Sequence, residues 1–246
     1  SRRYSLDIGA QIAHGSLRYY VMGERGRMNE EATPDDLRQM SQLVTEAVQA
    51  GALGFSTSRT IGHRALDGSP VPGTFAPDQE LSAIADAMAR AGRGVFEMIP
   101  AGTVGKLERL GGERTTPEAE VKLMADFSRQ SGRKVTFTLV QSPDYAPDTW
   151  ERLLEMVVTA NQTGAQLYPQ VSSRPIGLAS GLSGYHAFQR RPTYMKLAHL
   201  PLAERARELA KPEIKAAIMS ETDVPVDQPG SMANMYQLFQ TAAMFL

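Results

Sequence analysis

The chain has 246 residues, 42% of them apolar and 22% charged, a globular composition with length enough for one large core or two small ones. Its 26 Lys and Arg balance 27 Asp and Glu, so no basic surplus marks a nucleic-acid binder, and the absence of Cys removes disulfides, thiolate nucleophiles and Cys-based metal sites. A Cys-free chain suits a reducing compartment, the cytoplasm, and its longest apolar runs, Val135 to Val140 and Ala242 to Leu246, fall far short of the roughly 20 residues that span a bilayer.

Ser1-Arg2-Arg3-Tyr4 carries neither an initiator Met nor a signal-peptide layout, so the chain is expected to begin inside a longer protein. Ile12 to Met22 supplies a first βα unit, with His14 in its strand region. Thr33-Pro34-Asp35-Asp36 then places a hydroxyl at a helix cap, Pro at the first helical position and acid in the first turn. Leu37, Met40, Leu43, Val44 and Val48 form one apolar face, Gly51 ends the helix, and Ala52 to Thr57 reads as a strand. The same order recurs from Pro77 through Gly92 to a strand at Gly94 to Ile99, and from Thr116 through Gly132 to Val135 to Val140. It recurs again from Pro147-Asp148 through Gly164 to Gln166 to Val171. A helical segment with His199 on a helix follows, and the amphipathic run Met235 to Leu246 stops without a terminating signal, which again predicts a cut chain.

Alternating strands and two-sided helices predict a parallel sheet covered by helices, either a (βα)8 TIM barrel or a doubly wound sheet. Neither glycine-rich phosphate loop of the doubly wound binders occurs, which favours the barrel. A barrel uses about 250 residues for eight units, whereas long loops let this chain reach about five. The expected class is therefore α/β, a partial (βα)8 TIM barrel with a helical C-terminal extension. Residues 1–190 would form the barrel part, and residues 191–246 a helical segment continuing the same domain.

Helix-to-strand connections are short and strand-to-helix connections long, which places the working face at the C-terminal ends of the strands. There the loops collect Arg59, His63, Arg64, Arg174 and His186. Guanidinium groups suit an anionic small molecule, because each can hold a carboxylate through two parallel hydrogen bonds. His63 and Arg64 have the alternative of pairing with Asp67 in their own loop, and His186, between Tyr185 and Phe188, that of a packed aromatic neighbour. No His-x-His, H-E-x-x-H or G-x-S-x-G occurs, so no metal ligand is assigned within the chain. Glu97, the acid inside a strand, is a weak catalytic candidate. Facing the barrel interior it could act as a base, and facing outward it would pair with Arg93 or Lys134.

Gly51-Ala52-Leu53-Gly54-Phe55-Ser56-Thr57-Ser58-Arg59, with Gly62-His63-Arg64 and Pro70-Val71-Pro72-Gly73-Thr74-Phe75-Ala76, resembles the D-aminoacylase-like branch of the amidohydrolase superfamily, the N-acyl-D-amino-acid deacylases. His14-Gly15-Ser16-Leu17-Arg18, Ser173-Arg174-Pro175-Ile176-Gly177 and Pro192-Thr193-Tyr194 extend the resemblance over nearly the whole chain. The resemblance implies a zinc-dependent barrel that hydrolyses the amide of an N-acyl amino acid, with metal-activated water and a strand-end Asp as general base. It places the family's His-x-His and that Asp outside this chain, which would span roughly the third to seventh strands. The family's further strand-end histidines align near Ile99 and Leu139, neither of which binds a metal. The arginine loops would then supply the clamp for the substrate carboxylate. Two other readings stay open: a barrel without catalysis that serves as a ligand-binding or assembly scaffold, and a metal-free enzyme using Glu97 and His63 as acid and base. No feature specifies an oligomeric state.

Overall fold

The computed structural model describes residues 5–60, 62–63, 65, 69–103, 115–141, 145–173, 181–182 and 186–224. Two compact units divide at Val171 and Ser172. In the first, β1 (Ile12–Ala13), β2 (Gly54–Ser58), β3 (Val95–Ile99), β4 (Lys134–Thr138) and β5 (Leu167–Gln170) form one sheet. All four pairings are parallel and the spatial order is the sequence order, β1 to β5. A doubly wound sheet reverses its strand order at a switch point. This one never reverses, which is the winding of a barrel and decides between the two architectures the sequence leaves open.

The helices of this unit are α1 (His14–Met22), α2 (Glu24–Arg27), α3 (Pro34–Gln49), α4 (Asp78–Ala91), α5 (Pro117–Ser131) and α6 (Thr149–Gln162). Local chemistry sets their ends. Thr33 accepts from the Asp36 N–H while the Asp36 carboxylate accepts from the Thr33 N–H, a reciprocal cap that fixes the start of α3. Thr116 caps α5 through the Ala119 N–H, and Gly92 and Gly132 close α4 and α5 in left-handed conformation. His14 is corrected from strand to helix: β1 ends one residue earlier, and His14 opens α1.

One apolar core lies between sheet and helices. Phe55, Phe96, Met98, Val135, Phe137 and Leu167 meet Met40, Val44, Leu81, Ile84, Met88 and Met124, all buried. Gly54 opens β2 at φ 149°, where a Cβ would stand 1.9 Å from the Val95 carbonyl oxygen, so only glycine lets β2 and β3 pair here. The second unit contains α7 (Pro192–Leu197), α8 (Leu202–Leu209) and α9 (Pro212–Ser220), the helical extension expected after the barrel strands. His199 is a second correction: it lies in the exposed turn between α7 and α8, where Pro201 disfavours helical conformation at the adjoining Leu200. Among the described residues no helix is long and apolar enough to cross a membrane.

Candidate functional site: the interior face of the sheet

Each strand alternates. Phe55, Phe96, Val135 and Leu167 turn to the helices, and their neighbours turn to the opposite face, the interior side of a barrel. Register aligns that face in rows. Ser56, Glu97, Thr136 and Tyr168 form one, and Ser58, Ile99, Thr138 and Gln170 form the next toward the C-terminal strand ends. Barrel interiors are ordinarily filled by branched aliphatic side chains. Here seven of these eight positions are polar or aromatic with a polar tip, which is the composition of a surface that meets a ligand.

Glu97 therefore faces the interior side, between Ser56 and Thr136. Its carboxylate makes no hydrogen bond or ion pair among the described residues, and Lys134 instead stands 5.5 Å from the centre of the Tyr168 ring. Thr136 donates its hydroxyl to the Tyr168 carbonyl at 3.0 Å. At the upper row, Ser58 Oγ lies 2.9 Å from His63 Nδ1. His63 is exposed and anchored by its backbone: its N–H donates to Thr60 O at 3.3 Å, and its carbonyl accepts from Val71 at 3.4 Å.

Arg59, one residue beyond β2, is directed elsewhere. Its side chain is buried and donates to the Glu120 carboxylate at 3.1 Å and to Ala76 O at 3.0 Å. Glu120 also accepts the Ala101 N–H at 3.0 Å and the Thr115 hydroxyl at 3.2 Å. This knot ties the loops after β2 and β3 to the first turn of α5. Arg64 and Arg174 lie outside the described residues, as does Asp67. His186, in the second unit, packs edge-on against Tyr194 with ring centres 4.5 Å apart, and burial together with the Arg205 charge lowers its pKa below the ordinary value.

A second charged group sits on the helix side of the sheet. His14 Nε2 meets Glu80 Oε1 at 2.6 Å, and its Nδ1 meets the Thr57 hydroxyl at 2.8 Å. Arg18 pairs with both Glu80 oxygens and bonds the Glu30 carbonyl. Gly73, at φ 96°, closes over the ring, where a Cβ would stand 2.6 Å from Nδ1. Burial lowers the His14 pKa, against the raising effect of the Glu80 bond. For Glu80, burial raises the pKa, but the bonds and charges of His14 and Arg18 outweigh it and hold the carboxyl below its ordinary value. The two partners assign the tautomer: a neutral ring donating from Nε2 to an ionised Glu80 and accepting from Thr57 at Nδ1.

Ser58, Thr138 and Gln170 went unread as site residues, although their signal is present. Val-Thr-Phe-Thr alternates with period two and Phe-Ser-Thr-Ser is polar after its first residue, whereas parallel strands covered on both faces read as continuous apolar runs. Among the described residues no three His, Cys, Asp or Glu side chains come together as a metal site, so these residues do not by themselves fit zinc.

No family model matches the chain, and no curated protein matches its sequence. Solved structures do match. The N-acyl-D-glutamate deacylase of Bordetella bronchiseptica, determined with zinc and a phosphonate mimic of the tetrahedral intermediate, superposes with a TM-score of 0.53 at 20% identity over 70% of this chain. D-aminoacylase gives a TM-score of 0.46 at 19% identity over 64% of this chain and 28% of its own. The chain spans 32% of the deacylase, about a third of its length. The likeness to the deacylase at 20% identity establishes the architecture: this chain has the fold of part of a barrel of the kind found in the N-acyl-D-glutamate deacylase.

Proposed function

We propose that the chain is the central part of a hydrolase of carbon–nitrogen bonds other than peptide bonds, acting on an N-acyl amino acid. The observation that carries this reading is the polar interior face at the C-terminal strand ends, in a fold shared with an N-acyl-D-glutamate deacylase. An N-acyl amino acid offers an amide and a carboxylate, and the residues proposed to meet them divide accordingly. His63 and Glu97 serve the interior face, and Arg64 and Arg174 the carboxylate. Arg59 acts through its bond to Glu120 by holding the loops that carry the site. The reading implies zinc with its principal ligands outside this chain, and no step is assigned to it from the residues described.

The test is hydrolysis of N-acetyl-D-amino acids by the protein that carries this segment in its complete reading frame, with zinc added or chelated. Release of free amino acid that chelation abolishes supports the proposal. Binding of N-acetyl amino acids without release of product supports the scaffold instead. Turnover insensitive to chelators supports the metal-free pair of Glu97 and His63. Within an active protein, Arg174→Ala is expected to raise KM sharply, and unchanged kinetics would remove Arg174 from the clamp.

A further inference from the structure

Ser58 and His63 make the one side-chain contact described at the upper row of the interior face. The hydroxyl of Ser58 has no other hydrogen-bond partner among the described residues and lies 2.9 Å from His63 Nδ1, where donating its proton to that nitrogen would select one tautomer of the ring. An imidazole that accepts at Nδ1 carries its proton at Nε2. That nitrogen bonds to nothing among the described residues, while the backbone of His63 is held on both sides by Thr60 and Val71. In that tautomer the ring presents an Nε2–H donor from a backbone anchored beside the end of β2.

Glu97 supplies the complementary group. It lies on the neighbouring strand, on the same face, two residues below the register partner of Ser58. A rise of about 3.3 Å per residue and a strand spacing of about 4.8 Å place the two Cα atoms about 8 Å apart. A partnerless carboxylate accepts hydrogen bonds and donates none. Ser58, which holds the donor, and Glu97, the acceptor, therefore stand on one face of the sheet with their Cα atoms about 8 Å apart.

We propose that this pair recognises a secondary amide: His63 Nε2–H donates to the carbonyl oxygen, the Glu97 carboxylate accepts the amide N–H, and Ser58 is the positioning residue that fixes the imidazole. A secondary amide presents one acceptor and one donor on opposite sides, which matches the arrangement. An ester or tertiary amide lacks the donor and leaves Glu97 unserved. The inference deepens the deacylase reading, on which its choice of ligand rests, and no bond is made or broken in it.

The chain has four histidines, so long-range nitrogen–proton correlation spectra of the 246-residue protein can resolve the tautomer of each. His63 is expected as the Nε2–H form, to lose that preference in Ser58→Ala and to keep it in Ser58→Thr. An Nδ1–H form in the unsubstituted protein would overturn the role of Ser58. N-acetyl-D-glutamate is then titrated beside N-acetyl-N-methyl-D-glutamate, which lacks the amide proton. A bond to a charged acceptor corresponds to about tenfold or more in affinity, so the secondary amide is expected to bind at least about tenfold tighter. That preference should vanish in Glu97→Leu and survive in Asp36→Asn, a substitution on the distant α3 cap. Equal affinities, no binding of either probe, or a preference that survives Glu97→Leu would overturn the proposal. Hydrolysis is scored separately. Amide discrimination without hydrolysis upholds the pair and counts against the deacylase reading, and hydrolysis without discrimination does the reverse.

Discussion

At the scale of single residues, two buried carboxylates do most to order the loops around the strand ends. Glu80 and Glu120 each sit in the first turn of a helix and receive a guanidinium, from Arg18 and Arg59 respectively. Removing one partner of such a pair strands the other charge, which costs about 3–5 kcal/mol. Arg59→Met is therefore expected to lower the unfolding free energy by that amount, and with it the denaturation midpoint. An Arg59 that held substrate instead would leave the midpoint unchanged and raise KM. Glu80 adds a pH dependence through His14. The folded state keeps His14 neutral and its pKa below 6.5, whereas the unfolded chain protonates it near that value. Stability tied to His14 is thus complete above about pH 6.5 and declines as the pH falls below it. The lowered pKa of Glu80 adds a further loss below its ordinary value of 4.5. Denaturant midpoints measured between pH 7.5 and 5 should fall on acidification, and a flat profile in His14→Gln would tie the slope to that ring. None of this network was visible as a network in the sequence, since contacts joining residues 14, 18, 57 and 80 leave no local pattern.

At the scale of elements, legibility followed the range of the forces involved. Caps, first-turn acids and terminating glycines act within a few residues, so α3, α4 and α5 begin and end where the sequence signals them. Strand edges moved by one or two residues, because pairing with a neighbour sets them: β4 starts at Lys134, a charged residue that propensity would leave out but that pairs with Val95. His14 and His199 were misplaced at element boundaries, where a single residue decides between strand, helix and turn. Thr33→Ala should destabilise by about 1 kcal/mol, the ordinary value of a side-chain cap, measured by urea denaturation. Gly54→Ala should cost on the order of 3 kcal/mol or more, because the new Cβ meets the Val95 carbonyl and the strained φ has no relief while β2 stays paired. Equal effects of the two substitutions would mean that β2 can shift away from β3 at little cost.

At the scale of the molecule, the barrel winding was legible because five repetitions of one local grammar admit few topologies. The polar interior face was half legible: the alternation is written in the strands, but which face turned away from the helices depends on register and packing across the sheet. The candidate site was legible as a location, the C-terminal strand ends, more than as a residue set, since Arg59 turned out to bond Glu120. The distribution of the core yields one more expectation. Every residue of the main apolar cluster lies between Leu17 and Leu167, within the unit that ends at Val171. A chain ending at Val171 therefore keeps every described residue of the buried apolar cluster between the sheet and its helices. Such a chain should show a single cooperative unfolding transition with the helix content expected of α1 to α6, read by circular dichroism. Its outermost strand is also the reason to measure at several concentrations. β5 is bonded by β4 alone among the described residues, and Tyr168 and Val171 beside that edge are exposed. An uncovered strand edge flanked by apolar side chains recruits a second chain, so sedimentation should reveal concentration-dependent association, and replacing Val171 with Lys should reduce it. A monomer at all concentrations would mean that the edge is already satisfied, and a non-cooperative transition would mean that the sheet depends on residues beyond Val171.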